Sequence, residues 1–167
     1  FTFATAPILH FGVGSLHTLG DRGASRLGAR CLIVTDAGIV KTGMVDTALQ
    51  SLAAAGITAE IFSAVEADPS EATVLDATEM ARAADVDSVI GLGGGSSLDV
   101  AKLVAYLAGT QDCLAQIYGV GLATGQRLPL VLIPTTAGTG SEVTPIAIVT
   151  TASSEKMGVV SPALLPD

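Results

Sequence analysis

The chain has 167 residues, 49% of them apolar and 14% charged, with a formal net charge of −8. That composition is too apolar and too weakly charged for disorder, and the length suffices for one domain with its own core. The acidic balance argues against a nucleic-acid or acidic-membrane partner, either of which needs clustered Lys and Arg; it leaves room for one phosphate held by backbone amides.

The opening, "FTFATAPILHFGVGSL", lacks the basic end and long apolar centre of a signal peptide, and could lie extended beside a sheet. Ala29–Thr35, "ARCLIVT", predicts a buried strand ending at Asp36. Met44–Ala55 predicts a helix stopped by Gly56, and Thr58–Phe62 a short strand. In "ADPSEA", Asp68 is expected to cap, Pro69 fits the first helical position, and Glu71 completes a box, so a helix should run to about Ala84. "DSVIGLG" reads as strand, Ser96 to about Ala108 as helix, and "LPLVLIP" (Leu128–Pro134) as a fourth apolar strand. "TPIAIVTTASSEKMGVVSP" reads as two short strands about a turn, a β-hairpin. Apolar strands alternating with helices predict an α/β fold: a Rossmann-like parallel sheet flanked by helices, with an added hairpin near the C-terminus. "PALLPD" has no clear closing element and reads as a domain boundary.

Cys31 lies in the apolar run "CLIV" and reads as a reduced core thiol; with no CxxC or paired framework, a reducing, cytoplasmic setting is expected. No stretch reaches about 18 uninterrupted apolar residues, so no membrane span is expected.

Ligands of parallel α/β sheets bind at the carboxyl ends of strands, and three features fall there. The first is Asp36, a carboxylate placed to accept hydrogen bonds from ribose hydroxyls; it would repel a 2′-phosphate and so favours NAD over NADP. The second is "GGGSSLDVAK" (Gly93–Lys102), where glycines let a phosphate approach the main chain, helix-start amides favour negative charge, and Ser96 and Ser97 add hydroxyls. Read without a ligand, the same stretch is a tight turn with Ser96 capping and Asp99 completing a box. Asp99 fits a cap or a polar contact to a cofactor equally well, and Lys102 reads as a solvated helix face. The third is "PTTAGTGSEVT" (Pro134–Thr144), with hydroxyls at Thr135, Thr136 and Thr139 and Glu142 as a support for the loop.

The usual dinucleotide fingerprint is absent: after Gly91-x-Gly93 the next required glycine is Ser96. Neither a P-loop nor a G-x-S-x-G elbow occurs. Because Asp36 precedes the glycines instead of following them by about 20 residues, a different strand topology is implied.

Together "VTD" (Val34–Asp36), "GGGSSLDVAK" and "IPTTAGTGSEVTP" (Ile133–Pro145) resemble the iron-containing alcohol dehydrogenase family, specifically its amino-terminal, dinucleotide-binding domain over 1–167. The resemblance implies that Gly94, Gly95, Ser96 and Ser97 contact a pyrophosphate, that Thr135, Thr136 and Thr139 lie along the cofactor, that Asp36 reads the adenosine ribose, and that Ile148 and Lys156 reach the cofactor from the hairpin. It implies NAD as cofactor, a small alcohol or carbonyl substrate, a homodimer, and Fe2+ or Zn2+ held in a separate helical domain. One departure is Asp68-Pro69 where the family often has Asn-Pro; an ionised Asp68 cannot donate to a cofactor. Another is that the histidines are His10 and His17, in no spacing suited to a metal. A dehydroquinate-synthase-like or glycerol-dehydrogenase-like enzyme, or a non-catalytic nucleotide-binding module, are the competing readings.

Overall fold

The computed structural model describes residues 5–167. After a 3-10 turn at Ser15–Thr18, the chain forms α1 (Leu19–Gly23), β1 (Arg30–Val34), α2 (Ala37–Lys41), α3 (Met44–Ala54) and β2 (Thr58–Phe62). Then come α4 (Glu71–Ala83), β3 (Ser88–Gly93), α5 (Gly95–Gly109), α6 (Leu114–Ile117), β4 (Gly119–Val120) and β5 (Leu130–Pro134). A 3-10 turn at Ser141–Val143 leads to β6 (Ile146–Thr150) and β7 (Lys156–Val160).

Strands β2-β1-β3-β5, in that order, make a four-stranded sheet, all neighbours parallel. Every residue of β3 is buried, which is why "SVIGLG" has no polar alternation: helices cover both of its faces. On one face Leu32, Val34 and Val89 pack with α4 and α5 through Val74, Ala77, Val100 and Val104. On the other, Cys31, Ile33, Ile90 and Leu92 pack with α1 and α3 through Leu19, Val45 and Leu52. The predicted α/β sheet is therefore what forms, with strand ends one or two residues inside those expected for β1 and β5.

Helix α3 ends as predicted at Gly56, whose φ of 76° is left-handed and lets the Ile57 N–H reach Leu52 O at 3.0 Å. The cap of helix α4 falls two residues later than expected. Ser70, not Asp68, is the N-cap and accepts from Thr73 N at 3.2 Å, while Asp68 sits at φ 53°. Helix α5 lacks any side-chain cap; its N-cap is Gly94. Packing holds it instead: Leu98 and Leu103 are fully buried. Each contributes about 1.5–3 kcal/mol, against about 1 kcal/mol for a capping side chain.

The predicted hairpin forms from β6 and β7, registered from Ile146 opposite Val160 to Thr150 opposite Lys156; β4 adds a parallel third strand beside β7. It is docked at its turn end, where Thr150 N donates to Pro69 O at 2.8 Å and Ala152 N to Glu71 Oε2 at 3.2 Å. The opening, expected to lie extended beside the sheet, forms no strand over residues 5–11, but Ile8, Leu9 and Phe11 line a cavity shared with Val131–Pro134 of β5; residues 1–4 lie outside those described.

Candidate cofactor site

In the order β2-β1-β3-β5 the chain winds outward from β1 to β2, then crosses back to β3 and outward again to β5. The direction reverses between β1 and β3, and crevices at such switch points take ligands. Asp36 leaves the end of β1 and Gly94 the end of β3, so both border this point. This arrangement explains why the acidic residue precedes the glycines in sequence.

Asp36 is oriented by its own backbone. Its Oδ1 accepts from Gly38 N at 2.8 Å and Ile39 N at 3.0 Å, capping α2. Its Oδ2 is 3.4 Å from the buried Ser97 hydroxyl, which donates to it. A helix cap and the first turn of α5 thus fix a half-buried carboxylate at the crevice edge.

The glycines have different reasons. A Cβ on Gly91 would lie 2.8 Å from Ala101 Cβ and 2.8 Å from Leu132 Cδ2, so its absence lets α5 rest against the sheet. Gly93 has φ 155° and a Cβ there would meet the Ser97 hydroxyl at 2.6 Å. Gly94 needs neither: its φ of −78° suits any residue, and the nearest atom to an added Cβ is Thr136 Oγ1 at 3.5 Å. Among the described residues no side chain caps the turn, and the first helical amide bond is Leu98 N to Gly94 O at 3.1 Å. The amides of Gly95, Ser96 and Ser97 are the helix-start donors that favour an anion. The alternative of a cap by Ser96 with Asp99 does not occur.

The threonine loop forms the opposite wall. Thr135 N donates to Gly93 O at 2.9 Å, tying it to β3. Thr136 lies over Gly94, and Thr139 over Gly95, 3.2 Å from the position of an added Cβ. Both threonines are exposed. Buried Ser141 backs Gly95, a neighbour that sequence reasoning missed.

From the hairpin, Ile148 presents a 45% exposed side chain. Lys156 pairs with Asp68 at 2.6 Å, and both side chains are exposed. Asp99 turns toward the hairpin, its Oδ2 accepting from Ile148 N at 3.1 Å. Lys102 overturns its expected solvated position: it is fully buried, with Nζ donating to Thr144 O at 2.9 Å and Ile146 O at 2.8 Å, and 3.7 Å from Asp99 Oδ1. Burial pushes the Lys102 ammonium below its usual range and Asp99 above its own; each opposes the other's shift. A signal was present: Lys102 stands in "VAKLVAYLAG", apolar on every side, so a cation there must be buried and paired. Glu142, expected to support the loop, has a buried Oε2 without a hydrogen-bond partner.

No group of three or more His, Cys, Asp or Glu that could hold a metal occurs among the described residues, and His10 is engaged with Arg22 at 2.8 Å. These residues do not fit a catalytic metal. Beyond the threonine loop a cavity of about 620 Å³ runs along β5, lined by Leu9, Phe11, Ile133, Thr135, Glu142 and Val143 among others. No helix among the described residues is long and apolar enough to cross a membrane.

A parallel sheet with a glycine turn, a strand-end carboxylate and a hydroxyl loop at its switch point defines a Rossmann-like α/β domain. The family model described as iron-containing alcohol dehydrogenase matches residues 6–167, and the chain belongs to that family. It is 33% identical to the sulfoacetaldehyde reductase of Bilophila wadsworthia over 99% of this chain and 43% of that protein. It is 32% identical to the NAD-dependent methanol dehydrogenase of Bacillus methanolicus over 98% of this chain and 43% of that one. A solved 1,3-propanediol oxidoreductase superposes with a TM-score of 0.95 at 34% identity, covering 99% of this chain and 44% of that chain. The chain thus spans under half the length of these relatives and corresponds to their amino-terminal part.

Proposed function

We propose that residues 1–167 are the dinucleotide-binding domain of an NAD-dependent alcohol dehydrogenase that interconverts small alcohols with aldehydes or ketones. Gly94 carries this reading. Neither its backbone angles nor its packing calls for glycine, and a side chain there would project between the turn and Thr136. A ligand that approaches the main chain accounts for it.

The pyrophosphate is placed on the amides of Gly95, Ser96 and Ser97, against Gly94 and between Thr135, Thr136 and Thr139. Asp36 takes the adenosine ribose, and its charge opposes a 2′-phosphate, which favours NAD over NADP. Ile148 offers an apolar surface, Lys156 a cation once it leaves Asp68, and Asp99 acts through the strand carrying Ile148. Bound NAD supplies the carbon that exchanges hydride with the substrate. Fe2+, which the family name implies, or Zn2+ in its place, is assigned to a part of the enzyme outside these residues, as is the alcohol pocket. A cytoplasmic homodimer is the proposed setting. The family match favours this reading over a dehydroquinate-synthase-like enzyme or a nucleotide sensor.

The test is NADH fluorescence titration of the parent chain and Gly94→Ala, with thermal melts of both. Saturable binding that weakens by about ten-fold or more in the variant, with an unchanged melting temperature, is expected. No binding by the parent, or equal binding by the two, would sink the proposal.

A further inference from the structure

We propose that Lys102 and Asp99 are positioning residues that together replace a missing neighbour strand along the free edge of β6 and thereby hold the threonine loop over the glycine turn. The proposal rests on the cofactor reading above for its binding consequence and on the hydrogen bonds alone for its structural part.

Strand β6 lies at the edge of the sheet β4-β7-β6: one side pairs with β7, and the other has no neighbour strand beyond a single bridge between Thr150 and Ser70. Residues alternate along a strand in the side to which their N–H and C=O point. The groups on the side of β6 away from β7 include Ile146 O and Ile148 N, preceded by Thr144 O and followed by Thr150 N, which donates to Pro69 O. The first three are taken by α5: Lys102 Nζ donates to Thr144 O and Ile146 O, and Asp99 Oδ2 accepts from Ile148 N. A donor and an acceptor three positions apart on a helix face the same way, and here they reproduce the acceptor–donor alternation of a ladder. An edge strand with open backbone groups pairs indiscriminately; a buried ammonium without partners is untenable. The pairing resolves both, and the Asp99 charge 3.7 Å away compensates the cation.

The consequence lies in the loop. The stretch from Thr135 to Thr144 is fastened at one end by Thr135 N to Gly93 O and at the other by Lys102 to Thr144 O. Thr136 and Thr139, which wall Gly94 and Gly95, lie between these two points, with buried Ser141 seated against Gly95 after them. Release of the second point frees the wall without disturbing Asp36, which is anchored on α2.

The experiment compares the parent with Lys102→Met, which keeps the stem and removes the donors, and Asp99→Asn, which keeps an acceptor for Ile148 and withdraws the counter-charge. Dissociation constants are measured for NADH, whose pyrophosphate meets the loop, and for adenosine, which has the ribose for Asp36 and no phosphate. Hydrogen exchange is followed at Ile148 and at β3. For Lys102→Met the expected result is a rise of about ten-fold in the NADH constant, with the adenosine constant within about two-fold of the parent. Exchange at Ile148 accelerates while β3 stays protected, and Asp99→Asn shows the same pattern more weakly. Parallel loss of NADH and adenosine, or unchanged NADH binding with slow exchange at Ile148, overturns the proposal. Should Lys102→Met fail to fold, Asp99→Asn decides by the same criteria. A parent that binds no NADH refutes the cofactor reading; accelerated exchange at Ile148 alone then still distinguishes the tether from its absence.

Discussion

The Ser97 hydroxyl donates to Asp36 Oδ2 across 3.4 Å, joining the end of β1 to the first turn of α5 through residues 61 positions apart. The carboxylate is thus held by α2 on one oxygen and by α5 on the other. Charge and capping can be separated at this residue. Asp36→Asn keeps the capping oxygen and removes the charge, so stability should hold while the preference for NADH over NADPH falls by about ten-fold or more; like charges 4 Å apart near a surface repel by up to about 4 kcal/mol. Asp36→Ala should show the same loss of preference plus about 1 kcal/mol of destabilisation from the lost cap. Paired titrations with the two cofactors, alongside chemical denaturation, check both.

Gly91 supports a prediction about stability with no ligand involved. Gly91→Ala places a methyl 2.8 Å from Ala101 Cβ and Leu132 Cδ2, neither able to swing away without moving α5 or β5. Overpacking of this kind costs about 1–3 kcal/mol, so the melting temperature should fall by about 2–12 °C. A melt indistinguishable from the parent's would show that α5 is not seated as closely as described.

Lys156 and Asp68 form an exposed pair, and exposed pairs contribute at most about 1 kcal/mol. Asp68→Asn should therefore leave stability nearly unchanged and release the ammonium, tightening NADH binding by about two- to five-fold. Lys156→Ala should weaken NADH binding with as little effect on stability. If Asp68→Asn weakens binding instead, the aspartate itself takes part in the contact.

Cys31 gives a pH prediction. Burial, aided by the Asp87 charge, pushes its thiol up to about 12 from an ordinary 9.0. Between those values the unfolded chain loses the proton while the folded one keeps it. The stability tied to this thiol is therefore complete below pH 9 and is lost as pH rises toward 12. Relative to Cys31→Ala, the parent's advantage should shrink in urea melts as pH rises from about 9 toward about 12. Thiol labelling at neutral pH should modify the exposed Cys113 and spare Cys31.

The strands of the main sheet were legible in the sequence because "CLIV", "VIGLG" and "LVLIP" are apolar throughout, the pattern of strands covered on both faces. The hairpin showed through its paired β-branched runs. Strand β4 did not, since two residues, Gly119 and Val120, become a strand only by lying beside β7. The cap of α4 was misplaced because Asp68 and Ser70 both carry suitable oxygens; the left-handed Asp68 decided for Ser70. The motif loops of the site could be found from their glycines and hydroxyls. Which glycine the fold itself does not require could not, because that depends on what surrounds Gly91, Gly93 and Gly94 in space. Lys102 was missed because lysine is mostly exposed, and only its apolar neighbours on α5 spoke otherwise.

The proposed anion site, built of neutral amides in a chain of net charge −8, has a kinetic corollary. Far from the surface an incoming dinucleotide feels mainly repulsion, and only at contact does the local field of the helix start prevail. Added salt, which shortens the range of the former more than it weakens the latter, should speed capture rather than slow it.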